Sequence, residues 1–386
     1  MKFLHSADLH LGHGRTPERR DDYLNAWRWC IGTAHRHAVD AVVVAGDLFD
    51  SVRPSPEIFQ LAYDAVPHPC PWRWIITPGY TSGHDHPGAS GHCWTTVFGE
   101  LLNAEDSTRP IGEVRFFYPK PGTIPSQIEE LRERIAICKN NEPASYCVAI
   151  LHLGLAPQMP IIGGGLDPEV LAPLLGLADY VALGHCHAPG SYAGWAHWPG
   201  APEWTSVSQY VDTGGVILVE VERDQDSHVL RSSIRHIPYP HRRRLMTLTL
   251  DASMYASPRM LALGTHGYGV QNAVVDVRLT GVLQFPRSTL DLRAVEAAIL
   301  ARGAIEVIIR DETTARDAPV LEPEQRSRDE MMGAAIREII SQDSRWTKIS
   351  TDLVAAGLLI AQLCAKKAPP EDILAAVPTE GKNETL

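Results

Sequence analysis

Short, uninterrupted apolar runs alternate with longer stretches of helical spacing through the first half of the chain. Lys2–Ala7, Ala41–Ala45, Trp72–Thr77, Val114–Tyr118, Cys147–Leu151 and Tyr180–Leu183 read as buried strands. Arg19–His37, Pro56–Val66, Ser126–Lys139 and Pro168–Leu175, lying between them, read as helices. Strands and helices taken in turn predict an α/β sheet with helices packed on it. Further on, Gly215–Val221 and Ser232–Ile237 stand closer together, which predicts a meander at the edge of that sheet.

The pattern breaks at Pro238-Tyr239-Pro240-His241-Arg242-Arg243-Arg244, where two prolines and a basic run mark a boundary, so that residues 1–238 form a first domain. Leu245–Leu250, Ala273–Leu279 and Ala304–Arg310 then read as strands and Leu290–Ala301 as a helix, enough for a small α+β domain over 245–314. After the polar stretch Glu312–Asp329, Met331, Ile336, Ile339 and Ile340 share one helical stripe. Leu353, Leu358, Leu359 and Leu363 share another, so 325–368 is expected to be helical. Such stripes fit either packing on the second domain or docking along a partner's coiled coil. Residues 369–386 are expected to be a flexible tail.

Composition sets bounds on function. At 386 residues, 44% hydrophobic and 21% charged, the chain has the make-up of a folded protein. With 35 Lys and Arg against 46 Asp and Glu it carries a formal charge of -11, which argues against a general electrostatic coat for nucleic acid. Local basic patches or bound cations remain as routes to phosphate. The 7 cysteines contain no CxxC pair, so neither a zinc finger nor a disulfide framework is legible, and reduced thiols in a cytoplasmic protein are expected. The N-terminal residues lack the long apolar region of a signal peptide, and runs such as Leu353–Cys364 are too short to span a bilayer, so no membrane partner is expected. The 17 histidines change the picture most, because imidazole is both a metal ligand and an acid–base group.

Several histidines sit with aspartates where predicted strands end. Asp8 and His10 follow the first strand, and Gly46-Asp47-Leu48-Phe49-Asp50 follows the second. His84 and Asp85 follow the third, His152 closes a later one, and Gly184-His185-Cys186-His187 follows another. Ligands of an open α/β sheet bind where the C-terminal ends of strands converge. Residues at i and i+2 in extended backbone point the same way, so Asp8/His10 and His185/His187 are each expected to act as a pincer. Mixed carboxylate and imidazole donors without thiolate suit Mn2+, Fe or Zn2+ and disfavour a structural zinc site. With one carboxylate bridging, for which Asp47 is the candidate, two ions would stand about 4 Å apart and clamp a phosphodiester. Each motif alone is weak; the set of them, in order and each at a strand end, carries the reading.

These residues resemble the calcineurin-like metallophosphoesterases and, more narrowly, the SbcD/Mre11 DNA repair nucleases. The broad likeness rests on Asp8-x-His10, Gly46–Asp50, His152 and Gly184–His187. The narrow one rests on Ser6–Gly12 (SADLHLG), Asp47–Asp50 (DLFD), Tyr180–His187 (YVALGHCH), and Pro199–Glu203 (PGAPE) followed by Gly215–Glu222. In the second domain it rests on Val275–Thr280 (VDVRLT) and Glu306–Thr313 (EVIIRDET). The resemblance runs from Met1 to about Thr314. It implies an αββα metallophosphoesterase sandwich with a small α+β capping domain and a helical C-terminal tail. It also implies two divalent ions, Mn2+ first, with Mg2+, Fe or Zn2+ as alternatives. The activity implied is double-strand exonuclease and single-strand endonuclease on DNA, with an SbcC/Rad50-like coiled-coil ATPase as partner. A homodimer, cytoplasmic or nucleoid-associated, is implied as well. Carried over position by position, Asp8, His10, Asp47, His152, His185 and His187 are the metal ligands. His84 and Asp50 are the catalytic candidates, His84 as the histidine that protonates the leaving group or steadies the scissile phosphate.

One stretch departs from the family, whose third motif Gly-Asn-His-Asp/Glu supplies a metal-binding Asn. Here the chain reads Pro78-Gly79-Tyr80-Thr81-Ser82-Gly83-His84-Asp85-His86, with Tyr80 or Gly83 at that position according to the anchor chosen. Neither side chain offers the neutral oxygen, which leaves Asp85 or His86 as substitute ligands. Two other readings therefore stay open: a nuclease-like scaffold weakened in catalysis, and a phosphodiesterase of small substrates. Arg15, Arg19, Arg242 and Arg243 are candidates for DNA phosphate contacts, against the alternatives of a solvated helix start and a charged linker. His5, His13, His35, His37, His86 and His92 read mostly as surface or hydrogen-bonded residues, with lining of a substrate groove as the alternative.

Overall fold

In the apolar strands successive side chains point to opposite faces, so burial along a whole strand requires cover on both sides. The computed structural model describes residues 1–79, 93–102, 110–156, 165–226 and 228–315. Met1–Ala315 is one compact unit; the second, Arg316–Leu386, lies outside the described residues, and with it the expected helical segment 325–368 and the tail 369–386.

Two five-stranded sheets supply the cover for each other. The first holds β1 (Lys2–Ser6), β2 (Ala41–Ala45) and β3 (Arg73–Thr77) in parallel, with β9 (Gly215–Arg223) and β10 (Leu230–Pro238) antiparallel at one edge, in the order β10-β9-β1-β2-β3. That edge is the meander expected from the sequence. The second sheet runs β4-β5-β6-β8-β7, from β4 (Val114–Phe117), β5 (Tyr146–His152), β6 (Tyr180–Gly184), β7 (Gly190–Tyr192) and β8 (Ala196–Trp198). Phe3, Val43, Ile75, Phe116, Val148, Ile150 and Ile217 meet between the sheets.

The neighbouring positions point the other way. Leu4, Val42, Val44 and Trp74 pack on Tyr23 and Trp27 of α1 (Pro17–Arg36), Ala62 of α2 (Pro56–Asp64) and Phe98 of α3 (Trp94–Leu101). Cys147, Ala149 and Leu151 pack on Ile128, Leu131 and Ile135 of α4 (Ile124–Asn141). The layers are therefore helix, sheet, sheet, helix. The helix expected at Pro168–Leu175 is instead a 3-10 stretch over Pro168–Leu174, because Pro173 inside it has no N–H for an α-helical ladder.

The remaining part has its own core of Leu248, Leu250, Val275, Val277, Leu279, Val295 and Ile299. Its strands β11 (Leu245–Asp251), β12 (Val274–Thr280) and β13 (Glu306–Asp311) are all parallel, crossed by α5 (Pro258–Leu263) and α6 (Leu292–Leu300). The expected strands and helix are present, and their pairing makes the small domain an alternating rather than a segregated arrangement.

A buried charge network joins the two parts. The Arg19 guanidinium donates to Asp22 at 2.7 Å and to the Trp204 carbonyl at 3.0 Å, and lies 4.3 Å over the Trp204 ring. Arg243 donates through Nε to Asp22 at 2.9 Å, through its backbone N–H to Glu203 at 2.9 Å, and through Nη1 to the Asn272 carbonyl at 3.2 Å. Arg19, with 2% exposure, and half-buried Arg243 therefore both make contacts at the seam between the parts. Asp22 engages both guanidinium groups, and Glu203 stands 3.4 Å from that of Arg19.

Candidate metal centre

The loops after β1 and β2 are zipped together before any side chain is considered. The N–H groups of Asp8, His10 and Leu11 donate to the carbonyls of Gly46, Asp47 and Leu48 at 3.1, 3.0 and 2.9 Å. Asp8 (φ 53°), His10 (φ 45°), Asp47 (φ 49°) and His185 (φ 77°) all adopt left-handed backbone. For residues with a Cβ this costs about 1–3 kcal/mol each, and it persists where the surroundings over-determine it. The expected pincers in extended backbone are thus corrected: Asp8, His10 and His185 converge through left-handed turns just past the strand ends.

Two groups of potential ligand atoms result, Asp8/His10/His187 and Asp8/Asp47/His152, each within 4.8 Å. Asp8 is common to both. Asp47 Oδ2 also stands between them, 3.9 Å from His10 Nε2 and 3.4 Å from His152 Nε2. His185 stands outside both groups by its side chain; its ring centroid is 5.3 Å from that of His152, while its N–H donates to the two Asp8 oxygens at 2.9 and 3.1 Å.

Hydrogen bonding decides which ring nitrogen faces inward. His152 Nδ1 lies 2.7 Å from the Ala45 carbonyl, which only accepts, so Nδ1 carries the proton. His10 Nδ1 faces the Asp50 carboxylate at 3.3 Å, and His187 Nδ1 lies 3.0 Å from Gln209 Oε1. The Nε2 atoms of His152 and His187 therefore present lone pairs, and so does that of His10 when its Nδ1 proton faces Asp50. Those of His10 and His187 are 3.0 Å apart, and the other groups around them are carboxylate oxygens. Lone pairs so placed repel unless a proton or a cation lies between them, and imidazole with carboxylate is the donor set of Mn2+, Fe or Zn2+.

Electrostatics agree. Burial pushes the Asp8 carboxyl up to about 6, with Asp47 adding to the rise and His152 and His10 opposing it. Burial also lowers His10 and brings His185 down to about 4. Such a cluster is costly without a positive charge at its centre.

Residues 1–79, which carry Asp8, His10, Asp47 and Asp50, match the family described as Calcineurin-like phosphoesterase. The DNA double-strand break repair protein Mre11 of Halobacterium salinarum is 25% identical over 351 residues, covering 88% of this chain and 85% of that protein. Mre11 of Methanosarcina acetivorans is 46% identical over 325 residues, 81% of this chain but 50% of that protein. The SbcD component of the nuclease SbcCD from Escherichia coli (strain K12) is 42% identical over 55 residues, 14% of each chain. The N-terminal residues thus resemble the calcineurin-like phosphoesterases, and the chain is similar to Mre11 and SbcD. These similarities support a metal-dependent hydrolase of phosphate esters.

Around the phosphoesterase centre, Asp50 braces two histidines at once, His10 at 3.3 Å and His13 at 2.9 Å. Burial works against its charge, but these two contacts hold the Asp50 carboxyl well below the usual carboxylate range. An open cavity of about 420 Å³ adjoins them, walled by His13, Arg15 and Asp50 on one side and Val274, Glu306 and Ile308 of β12 and β13 on the other. Arg15 is exposed there (83% of its side chain), whereas Arg242 is half-buried beside Tyr210. His84, Asp85 and His86 lie outside the described residues. The residues that sequence reasoning left without a role are His13, Glu203, Thr205 and Gln209. Only His13, three places after His10, and Glu203, in the PGAPE segment, carried any signal.

Proposed function

We propose that this phosphoesterase is a DNA nuclease that hydrolyses phosphodiesters at a site for two divalent ions, Mn2+ foremost. It would process DNA ends as part of an assembly with an SbcC/Rad50-like ATPase and a second copy of itself. The observation that carries the reading is the convergence of three histidine Nε2 atoms on two carboxylates, all of them buried except half-buried His187. Asp8, His10 and His187 would hold one ion, and Asp8, Asp47 and His152, with His185 beside them, the other. Bound ions of this kind polarise a phosphate and make water nucleophilic at neutral pH.

The chain's own groups set the rest. The Ala45 carbonyl and Asp50 fix the His152 and His10 rings, so the donors are preorganised. Burial keeps bulk water from competing. Arg15 offers an exposed positive charge at the cavity wall for a phosphate of the DNA backbone. The small domain, residues 245–314, forms the opposite wall and caps access. The names of the relatives support the substrate and the assembly, since one is a double-strand break repair protein and another a component of a nuclease complex.

The test is hydrolysis by the metal-stripped full chain on readdition of Mn2+, with linear duplex DNA and bis-p-nitrophenyl phosphate in parallel. Mn2+-dependent cleavage of the duplex, lost at least ~100-fold in Asp47→Asn, is expected. Turnover of the small diester with the duplex untouched would point to a small-substrate enzyme. Metal binding without any hydrolysis would point to a scaffold.

A further inference from the structure

His187 takes its orientation from a side chain to which no metal or substrate role has been attached. Gln209 closes the 3-10 turn Val207–Gln209, a few residues past the PGAPE segment. Its Oε1 lies 3.1 Å from Thr205 N, 3.3 Å from Ser206 N, 2.9 Å from Thr205 Oγ1 and 3.0 Å from His187 Nδ1. Two of these neighbours are backbone amides, which only donate. The atom is therefore the carbonyl oxygen of the amide, and His187 Nδ1 must carry the proton it donates. A neutral ring protonated at Nδ1 keeps its lone pair on Nε2, the atom that faces His10 Nε2 at 3.0 Å and Asp8 Oδ1 at 4.0 Å.

The oxygen is held from several sides. Thr205 Oγ1 donates its single proton to Gln209, and at 3.2 Å from His187 Nδ1 it is only a secondary acceptor. The turn starts from Trp204, whose Nε1–H donates to the Arg243 carbonyl at 2.8 Å and whose N–H donates to buried Glu203 at 3.1 Å. Gln209 is thus fixed to the seam between the two parts, and it hands that rigidity to His187.

We propose that Gln209 is the positioning residue of His187: its carbonyl sets the ring's tautomer and rotation so that Nε2 is offered to a divalent cation. This rests on the metal reading above. Without Gln209 only Thr205 Oγ1, at 3.2 Å, is left to accept from Nδ1, so the Nδ1–H form loses its main anchor and the population with N–H turned to the site rises. Loss of a partner of this kind typically costs about 10- to 100-fold in metal affinity.

The experiment is calorimetric titration of the metal-stripped full chain with Mn2+, alongside 15N NMR of its histidine ring nitrogens. Gln209→Met removes the acceptor at similar size, Gln209→Glu keeps one, and Thr205→Val disturbs the turn but leaves Gln209. We expect Gln209→Met to weaken one Mn2+ site about 10- to 100-fold and to shift His187 away from the Nδ1–H form. Gln209→Glu and Thr205→Val should stay near wild type. Wild-type affinity and tautomer in Gln209→Met would overturn the proposal, and so would equal losses in Gln209→Met and Thr205→Val, which would assign the effect to the turn. A wild-type chain that binds no Mn2+ would instead overturn the metal reading itself.

Discussion

His5 shows what burial does to one side chain in this core. It is enclosed between the sheets, with Nδ1 2.9 Å from the Tyr180 hydroxyl, and burial, helped by His197, lowers its pKa to about 3. The folded state therefore binds fewer protons than the unfolded state between pH 3 and the ordinary histidine value near 6.5. Stability from this neutral ring is complete above that value and falls as the pH drops, by about 1.4 kcal/mol per unit. Denaturant unfolding of wild type and His5→Gln across pH ~4–7 should show the wild type losing ground steadily below about 6.5; parallel curves would contradict this. At the same scale, Asp8, His10, Asp47, His152 and His187 were legible as a set from their order along the chain. How they converge was not, because the left-handed backbone at Asp8, His10 and Asp47 follows from the zipped loops, and the tolerance of Asp and His for it does not say which of them adopt it. Gln209 was illegible for a similar reason: a glutamine in a polar turn looks like any other until the turn is folded against His187.

Between elements, the ends of β2, β5 and β6 meet more closely than side chains allow. A Cβ on Gly184 would stand 2.0 Å from the Ala45 carbonyl oxygen and 2.6 Å from His152 Nδ1, and one on Gly46 would stand 2.2 Å from His152 Nδ1. The first obstacle is backbone, so the sheets themselves must part. Gly184→Ala is expected to destabilise the fold by more than about 2 kcal/mol and to weaken metal binding through His152. Thermal unfolding with a Mn2+ titration checks both, and an unchanged melting temperature would contradict the packing account. Most strands of the first part were legible because runs such as Ala41–Ala45 have no polar alternation. β7, β8 and α5 were too short to show a period, and α3 lacks a start signal, since Cys93 makes no side-chain cap bond. The paired sheets themselves came only from the resemblance, because alternation along the chain does not say whether strands join one sheet or two.

For the molecule as described, the seam built from Arg19, Asp22, Glu203 and Arg243 ties the small three-stranded part to the two-sheet part. Glu203 is 1% exposed, so removing it leaves Arg19 buried beside one fewer carboxylate. Glu203→Ala should cost about 3–5 kcal/mol of stability, and pairing it with Arg19→Met should return part of that. Additive losses in a double-mutant cycle would show that the two do not act together. Read from sequence, the basic run at Arg242–Arg244 pointed equally to DNA and to a linker. The structure places Arg243 in the seam because its acidic partners come from positions far away in the chain. The overall charge of -11 gains a different meaning too, since part of it is gathered, buried, around one point where divalent cations would neutralise it. That point is where the account is most exposed. Calorimetric titration of the metal-stripped full chain with Mn2+, wild type against Asp8→Asn, tests it most directly, because Asp8 belongs to both ligand groups. Saturable binding of two ions by the wild type and loss of both sites in Asp8→Asn are expected; a wild type that binds none, or an Asp8→Asn chain that titrates like it, would contradict the metal centre.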